Sequence, residues 1–103
     1  MIIDVHTHAM RQSEHLSASF VREASLARGE PVDLTVGPED YAAAMRPVDR
    51  SIVFGMKARH VGFYVPNDWI ADFAARAGPT VIPFMSLDPT EPDYLDDFED
   101  SRG

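Results

Sequence analysis

The stretch MIIDVHTHAM, residues 1–10, decides the fold prediction for this chain. Its segment IIDVH (residues 2–6) is short, rich in β-branched residues and apolar, which predicts a β-strand. Because both of its faces are apolar, the strand is typical of a parallel sheet covered by helices. The strand continues into two histidines, His6 and His8. Since residues i and i+2 of a strand point to the same face, we expect Asp4, His6 and His8 to share one side.

Outward from this strand, strand-like and helix-like segments alternate along the chain. The order strand, helices, strand, helix, strand and helix start predicts right-handed βαβ units and a parallel sheet. Asn67 is the expected N-cap of the clearest helix. Strands are predicted at 50–56 and 80–87, helices at 13–28, 37–45 and 67–78, a further helix start within 88–100, and loops at 29–37 and 57–66.

The predicted fold class is α/β, with about three βα units in a single domain over residues 1–103. Three parallel strands make a poor independent domain because the edges of the sheet stay open. We therefore expect either the N-terminal piece of a larger α/β protein or a chain that completes itself by pairing with another copy.

Composition excludes several classes of function. The formal net charge is −8 and basic clusters are lacking, which argues against a nucleic-acid partner. No apolar stretch approaches the ~18 residues that a membrane span needs. The absence of cysteine excludes a disulfide framework and thiolate metal sites, and it fits a reducing compartment, so a cytoplasmic location is expected. The acidic run at 88–100 is typical of a solvated helix face.

The two histidines have a chemical interpretation and a structural one. Neutral imidazole is a good ligand for zinc and related divalent ions, and two imidazoles on one strand face can converge on one ion. The pair lies at the C-terminal end of its strand, where active sites form in parallel α/β folds. The alternative is a pair of histidines without metal, each satisfied by backbone groups or water.

The Asp-x-His-x-His pattern within residues 1–10 resembles the first strand of the amidohydrolase superfamily. Residues 45–56 and 62–99 are similar to the second and third βα units of its amidohydrolase-related branch. That branch includes aminocarboxymuconate-semialdehyde decarboxylase and related aromatic-acid decarboxylases and hydrolases. The resemblance covers nearly the whole chain apart from residues 11–36, which match little.

The resemblance implies a TIM-type (β/α)8 barrel, of which this chain would supply the N-terminal part with strands one to three. Such barrels need about 250 residues. It also implies one divalent ion, zinc, with His6 and His8 as metal ligands. The other ligands of the family come from its fifth, sixth and eighth strands, which have no counterpart here. The implied activity is hydrolysis or non-oxidative decarboxylation of a small carboxylated substrate by the complete enzyme, the present chain alone being inactive.

Other side chains have weaker assignments. Arg59 follows the second strand and is the candidate for binding a substrate carboxylate, its alternative being an exposed loop cation. Asp4 would orient a ligand histidine or simply bond backbone amides. His15 and His60 are expected at the surface. Trp69 and Phe73 are expected in the core, and Asp88 in a turn. The rival to the enzyme hypothesis is a truncated, non-catalytic α/β module without metal activity.

Overall fold

Three parallel strands form the centre of the computed structural model, which describes residues 1–102. The strands are β1 (Ile3–His8), β2 (Arg50–Phe54), β3 (Met56–Ala58), β4 (Phe63–Val65) and β5 (Val81–Phe84), and the helices are α1 (Gln12–His15), α2 (Ala18–Arg28), α3 (Pro38–Ala44), α4 (Asn67–Ala77) and α5 (Tyr94–Arg102). The main sheet has the order β1-β2-β5, and β3 pairs with β4 in a separate antiparallel hairpin. The α/β class and the parallel sheet predicted from the alternation are confirmed.

Helices α3 and α4 cover one face of the main sheet. Helix α4 packs on β5 and β2, and α3 packs beside α4. Ser51 and Val53 of the central strand are buried beneath them. The core that results is made of Ala9, Met10, Tyr41, Val53, Val65, Ile70, Phe73, Ala74 and Val81. None of the helices in residues 1–102 has the length and apolar character that a membrane crossing requires.

The other face of the sheet is uncovered, and we call it the open face. The register pairs Ile52 with Ile82 and Phe54 with Phe84 across this face. Ile3, Ile82 and Phe84 are 53%, 39% and 46% exposed. The expectation that the first strand is buried on both faces is therefore wrong for the described residues, because α3 and α4 lie on the same side of the sheet. The open face consists of Ile3, His6, His8, Ile52, Phe54, Ile82 and Phe84.

A β-bulge in β1 changes which side chains share a face. Asp4 lies opposite Ser51 and Thr7 lies opposite Val53, so β1 uses one more residue than β2 over this interval. Both partners on β2 face the helices, and the register therefore assigns Asp4 to the covered side. An extra residue of this kind breaks the alternation of period two. The prediction that Asp4 shares a side with the histidines is corrected accordingly.

Hydroxyl groups join the covered side of the sheet to α3. The Tyr41 hydroxyl lies 2.6 Å from Thr7 Oγ1 and 2.9 Å from Ser51 Oγ, and Thr7 Oγ1 is 2.7 Å from the carbonyl oxygen of Ile52. All three hydroxyl-bearing residues are buried. Buried polar groups need such partners because their desolvation is costly otherwise. The network fixes Thr7, and with it the strand end that carries His6 and His8.

Two segments differ from their predicted secondary structure. Residues 57–66, expected as a loop, form most of the hairpin: a 3-10 turn at Arg59–Val61 and Gly62 with φ of 84° connect β3 to β4. The helix expected over 13–28 is interrupted at Leu16, whose extended backbone bridges Phe63 of the hairpin. Ser17 then starts α2 as its N-cap, accepting a hydrogen bond from the Phe20 amide at 3.1 Å. Pairing with the hairpin therefore ends the first helical turn.

Asn67 does not cap its helix as predicted. The N-cap position is held by Pro66, and the Asn67 side chain makes no capping bond. Its amide group instead accepts from the Ser86 N–H at 2.8 Å and donates to the Ser86 carbonyl at 2.9 Å and to Ser101 Oγ at 3.1 Å. The side chain thus ties the loop after β5 and helix α5 to the start of α4.

His15 is buried, which corrects its predicted surface position. Its Nδ1 accepts a 2.8 Å hydrogen bond from the Arg11 amide, and its ring meets Trp69 edge-on with centroids 4.5 Å apart. The interruption of the helix after His15 turns this side chain inward, which helical periodicity alone does not indicate. Burial is the largest cause that lowers the pKa of His15, with Arg11 adding to it and Glu14 opposing.

The buried His15 predicts a loss of stability in acid. The folded pKa lies below the usual value of about 6.5, so the unfolded chain binds more protons as the pH falls from about 7 to 5. The free energy of unfolding should therefore decrease over that range, measured by urea denaturation. His15→Asn keeps an acceptor near Nδ1 but does not titrate, and its slope should be shallower. An equal slope in the variant would assign the effect to other groups, such as His8.

Candidate functional site

The candidate site is the histidine pair at the carboxyl end of β1. His6 Nε2 and His8 Nε2 lie 3.0 Å apart, and the two rings meet edge-on with centroids separated by 4.9 Å. The bulge between Asp4 and Thr7 contains His6, and His8 follows it. Beyond it, the register with β2 is regular again, with His8 opposite Phe54. The structure thus brings together the two nitrogen atoms that the sequence singled out.

Aromatic rings form the walls around the pair. The Phe54 ring centroid lies 5.3 Å from that of His6 and 6.2 Å from that of His8. Phe63 of the hairpin stands 6.2 Å from His8, and Phe84 packs edge-on against Phe54 at 5.6 Å. The imidazoles therefore lie in apolar surroundings on the sheet side, while His6 is exposed on the open face.

The surroundings of His8 favour its neutral form, which is the form that binds metal ions. Burial is the main cause that lowers the pKa of His8, and the neighbouring charge of His6 lowers it further. At neutral pH the imidazole of His8 is therefore neutral and has one nitrogen lone pair to offer. Its Nδ1 is buried and has no hydrogen-bond partner in the described structure, so the ring has an unmet polar group.

The spacing of the two Nε2 atoms fits a shared divalent ion. With Zn–N bonds of about 2.05 Å, nitrogens 3.0 Å apart subtend an angle of about 95° at the ion, somewhat below the tetrahedral value. The same separation also fits a direct hydrogen bond between the two rings. Within residues 1–102, no third His, Cys, Asp or Glu joins the pair in a group able to hold a metal. The described chain therefore offers two ligands of the three or four that a zinc site uses.

Asp4 and Arg59, the other two predicted site residues, are occupied elsewhere. Asp4 Oδ1 accepts a 3.2 Å hydrogen bond from the backbone N–H of His6, and therefore contacts the backbone of the pair rather than either ring. The Arg59 guanidinium stacks on Tyr64, 3.8 Å from the ring centroid, and its Nε lies 3.6 Å from Glu91 Oε1. Its partners are therefore the hairpin and an acidic residue, and no imidazole is among them.

The remaining candidates have structural positions. Asp88 Oδ1 accepts from the Thr90 amide at 2.9 Å and from its hydroxyl at 2.6 Å, which confirms the predicted turn. His60 is exposed in the turn of the hairpin. Phe73 is in the core as predicted, and Trp69 packs against that core while partly exposed.

Phe54 and Phe63 belong to the surroundings of the site and were not recognised from the sequence. The position of Phe54 could have identified it from the sequence. Phe54 is the last residue of the second strand, before Gly55, and therefore lies at the same end of the sheet as His8. For Phe63 the sequence gives a weaker indication: the residues after Gly62, Phe63-Tyr64-Val65, favour a strand. Because a loop was predicted over 57–66, this strand was not expected.

Comparison of the whole chain with protein-family models, with curated proteins and with solved structures finds no match.

Proposed function

We propose that His6 and His8 are two ligands of a divalent-metal site, with zinc as the ion, in an amidohydrolase-type enzyme. In this proposal β1, β2 and β5 are strands one to three of a (β/α)8 barrel, and the chain is the N-terminal part of that barrel. The observation that supports it is the 3.0 Å approach of the two Nε2 atoms at the carboxyl end of β1. The histidine pair lies on the uncovered face of the sheet, the side that a closed barrel would enclose.

The proposed reaction is hydrolysis or non-oxidative decarboxylation of a small carboxylated substrate. A bound zinc ion supplies Lewis-acid polarisation and lowers the pKa of bound water. Within the chain, His6 and His8 would hold the ion, while Phe54 and Phe63 would provide apolar walls beside it. Arg59 is the candidate for the substrate carboxylate, and in that role its guanidinium would exchange Glu91 for the substrate. The remaining ligands would come from residues other than 1–102.

The second candidate function is a non-catalytic α/β module. The observation that favours it is the incomplete donor set, since the two Nε2 atoms 3.0 Å apart can also satisfy each other through one shared proton. In that case the pair closes the end of β1 and has no ligand.

Zinc binding separates the two candidates. We expect the wild-type chain, titrated with zinc chloride after treatment with a chelator, to bind the ion, as measured by calorimetry and by elemental mass spectrometry. His6→Ala and His8→Ala should each weaken binding by at least about tenfold, because each removes one of the two imidazoles. His60→Ala is the matched control, since His60 is exposed in the hairpin turn, and it should bind like the wild type.

Failure of the wild type to bind zinc, or binding that His6→Ala leaves unchanged, would contradict the metal proposal and favour the non-catalytic module. The barrel part of the proposal has its own check. A reading frame that continues past Gly103 into further βα units, with His and Asp at the strand ends, would support it.

A further inference from the structure

His6 lies in a part of β1 where the strand pairing is irregular. The register gains one residue on β1 between Asp4 and Thr7, so Val5 and His6 stand opposite Ile52 alone. Regular pairing of the backbone is interrupted at such a bulge. The N–H of His6 donates to Asp4 Oδ1, a side-chain acceptor on its own strand. The sheet therefore constrains the backbone of His6 less than that of a regularly paired residue, and other contacts must fix the direction of its ring.

Thr7 closes the bulge from the covered side of the sheet. Its side chain is 9% exposed and points away from the two histidines that flank it, because successive side chains of a strand alternate. Its Oγ1 donates a 2.7 Å hydrogen bond to the carbonyl oxygen of Ile52, the residue opposite the bulge. Since Thr7 stands between His6 and His8 in the chain, this bond fixes the backbone from which both imidazoles project.

Tyr41 connects this anchor to the helices. Its hydroxyl lies 2.6 Å from Thr7 Oγ1 and 2.9 Å from Ser51 Oγ. The Tyr41 ring is 4% exposed and meets Phe73 edge-on at 5.4 Å, so close packing holds the hydroxyl in place. Thr7 is therefore bonded both to the neighbouring strand and, through Tyr41, to α3.

The chemistry of these buried groups favours a role in geometry over a role in packing. Val at position 7 and Phe at position 41 would fill the same space without the cost of burying a hydroxyl. A satisfied hydrogen-bond network, in contrast, selects one arrangement of the groups that it joins. All three hydroxyls lie between the sheet and the helices, on the side that a barrel keeps outside its lumen.

We propose that Thr7 and Tyr41 are positioning residues of the metal site, holding β1 so that His6 and His8 present their Nε2 atoms together. The inference rests on the proposed metal role of the pair and adds to it the groups that fix its geometry. Neither hydroxyl touches the ion, and both act through the backbone of β1. Preorganised imidazoles bind an ion more tightly, because less conformational entropy is lost when the ion arrives.

Zinc affinity of variants that lack one hydroxyl tests this inference on the full chain. Tyr41→Phe and Thr7→Val each remove a hydroxyl and keep the shape of the side chain. Each should weaken zinc binding by about tenfold in calorimetry, since loss of a group that supports a metal ligand has effects of that order. Thr7→Ser retains the hydroxyl and should recover most of the affinity. The visible spectrum of bound cobalt(II), which depends on ligand geometry, should shift in Tyr41→Phe and Thr7→Val.

Two control variants separate positioning from stability. Ile70→Val loosens the core without altering a hydroxyl, because Ile70 is 1% exposed in α4. Tyr94→Phe removes a tyrosine hydroxyl at the start of α5, outside the network. Both controls should bind zinc as tightly as the wild type and leave the cobalt spectrum unchanged. Circular dichroism at the temperature of the titration confirms that each variant is folded.

The outcomes distinguish this inference from the proposed metal role. A wild-type chain that binds no zinc would overturn both. A wild type that binds zinc, with folded Tyr41→Phe and Thr7→Val variants binding it equally tightly, would overturn the positioning role and leave the metal role intact. An equal loss of affinity in Ile70→Val would show that binding follows overall stability, which also overturns the positioning role. Weaker binding in both hydroxyl variants, recovered in Thr7→Ser and absent from both controls, would support it.

Discussion

Phe73→Ala should lower the free energy of unfolding by about 3–5 kcal/mol, the cost of removing a large aromatic side chain from a closed core. Phe73 is 2% exposed in the middle of α4. Its ring meets Tyr41 edge-on at 5.4 Å and stacks on Trp69 at 5.5 Å. The buried apolar residues form one core on the covered face of the sheet. Within it, Phe73 of α4 packs against Tyr41 of α3.

A loss of this size is a large fraction of the total for a small domain, whose stability is about 5–15 kcal/mol. Urea unfolding followed by Trp69 fluorescence measures it, because Trp69 lies against the altered side chain. Asp72→Ala is the matched control one residue earlier on the same helix: Asp72 is exposed and pairs with Arg76 at 3.0 Å across one turn. Its effect should stay within about 1 kcal/mol. If Phe73→Ala lowers the free energy of unfolding no more than the control does, Phe73 is not packed in a buried core.

The parallel sheet and the main helices are predictable because their signals are local. The segments around β1, β2 and β5 are short apolar runs, and α4 has apolar residues at helical spacing that stop before Gly78. Pro83 is compatible with a strand because β5 is at the edge of the sheet, where a missing donor costs little. The alternation of strands and helices then leaves few arrangements other than a parallel sheet.

The features that sequence patterns missed depend on partners distant in the chain. The bulge in β1 exists only in relation to β2, since Asp4 and Thr7 are three residues apart and their partners Ser51 and Val53 are two apart. The break between α1 and α2 comes from the bridge between Leu16 and Phe63. A sequence window of ten or fifteen residues around Asp4 or Leu16 contains neither β2 nor Phe63. Prediction from periodicity therefore places Asp4 on the wrong face and continues the helix of residues 13–28 through Leu16.

Some features of the candidate site are also predictable from local sequence, and others depend on residues distant in the chain. That His6 and His8 share a face is predictable from a spacing of two, and the structure gives the distance between their nitrogens. The aromatic walls were missed because Phe54 and Phe63 lie more than forty residues away along the chain. Arg59 was assigned to the site from its strand-end position, yet its guanidinium stacks on Tyr64, a neighbour that exists only once the hairpin forms.

Gly62→Ala should lower the free energy of unfolding by about 3–5 kcal/mol, although Gly62 lies outside the core. Gly62 has φ of 84°, a left-handed conformation that costs an alanine about 1 kcal/mol or more. In addition, a Cβ at this position would overlap the Oγ and Cβ atoms of Ser17. Ser17 cannot move away freely, because its N–H donates to the Gly62 carbonyl at 2.8 Å and its Oγ caps α2. The loss of a cap adds about 1 kcal/mol.

Gly29→Ala separates the two contributions. Gly29 has φ of 74° at the end of α2, and a Cβ there would meet nothing within 4 Å. Its loss should therefore be the conformational part alone, about 1 kcal/mol. Urea unfolding of both variants gives the difference, which measures the overlap with Ser17 and hence how tightly the hairpin holds the start of α2. Equal losses would show that α2 can shift away from the hairpin, and the Phe63 wall beside His8 would then be adjustable rather than fixed.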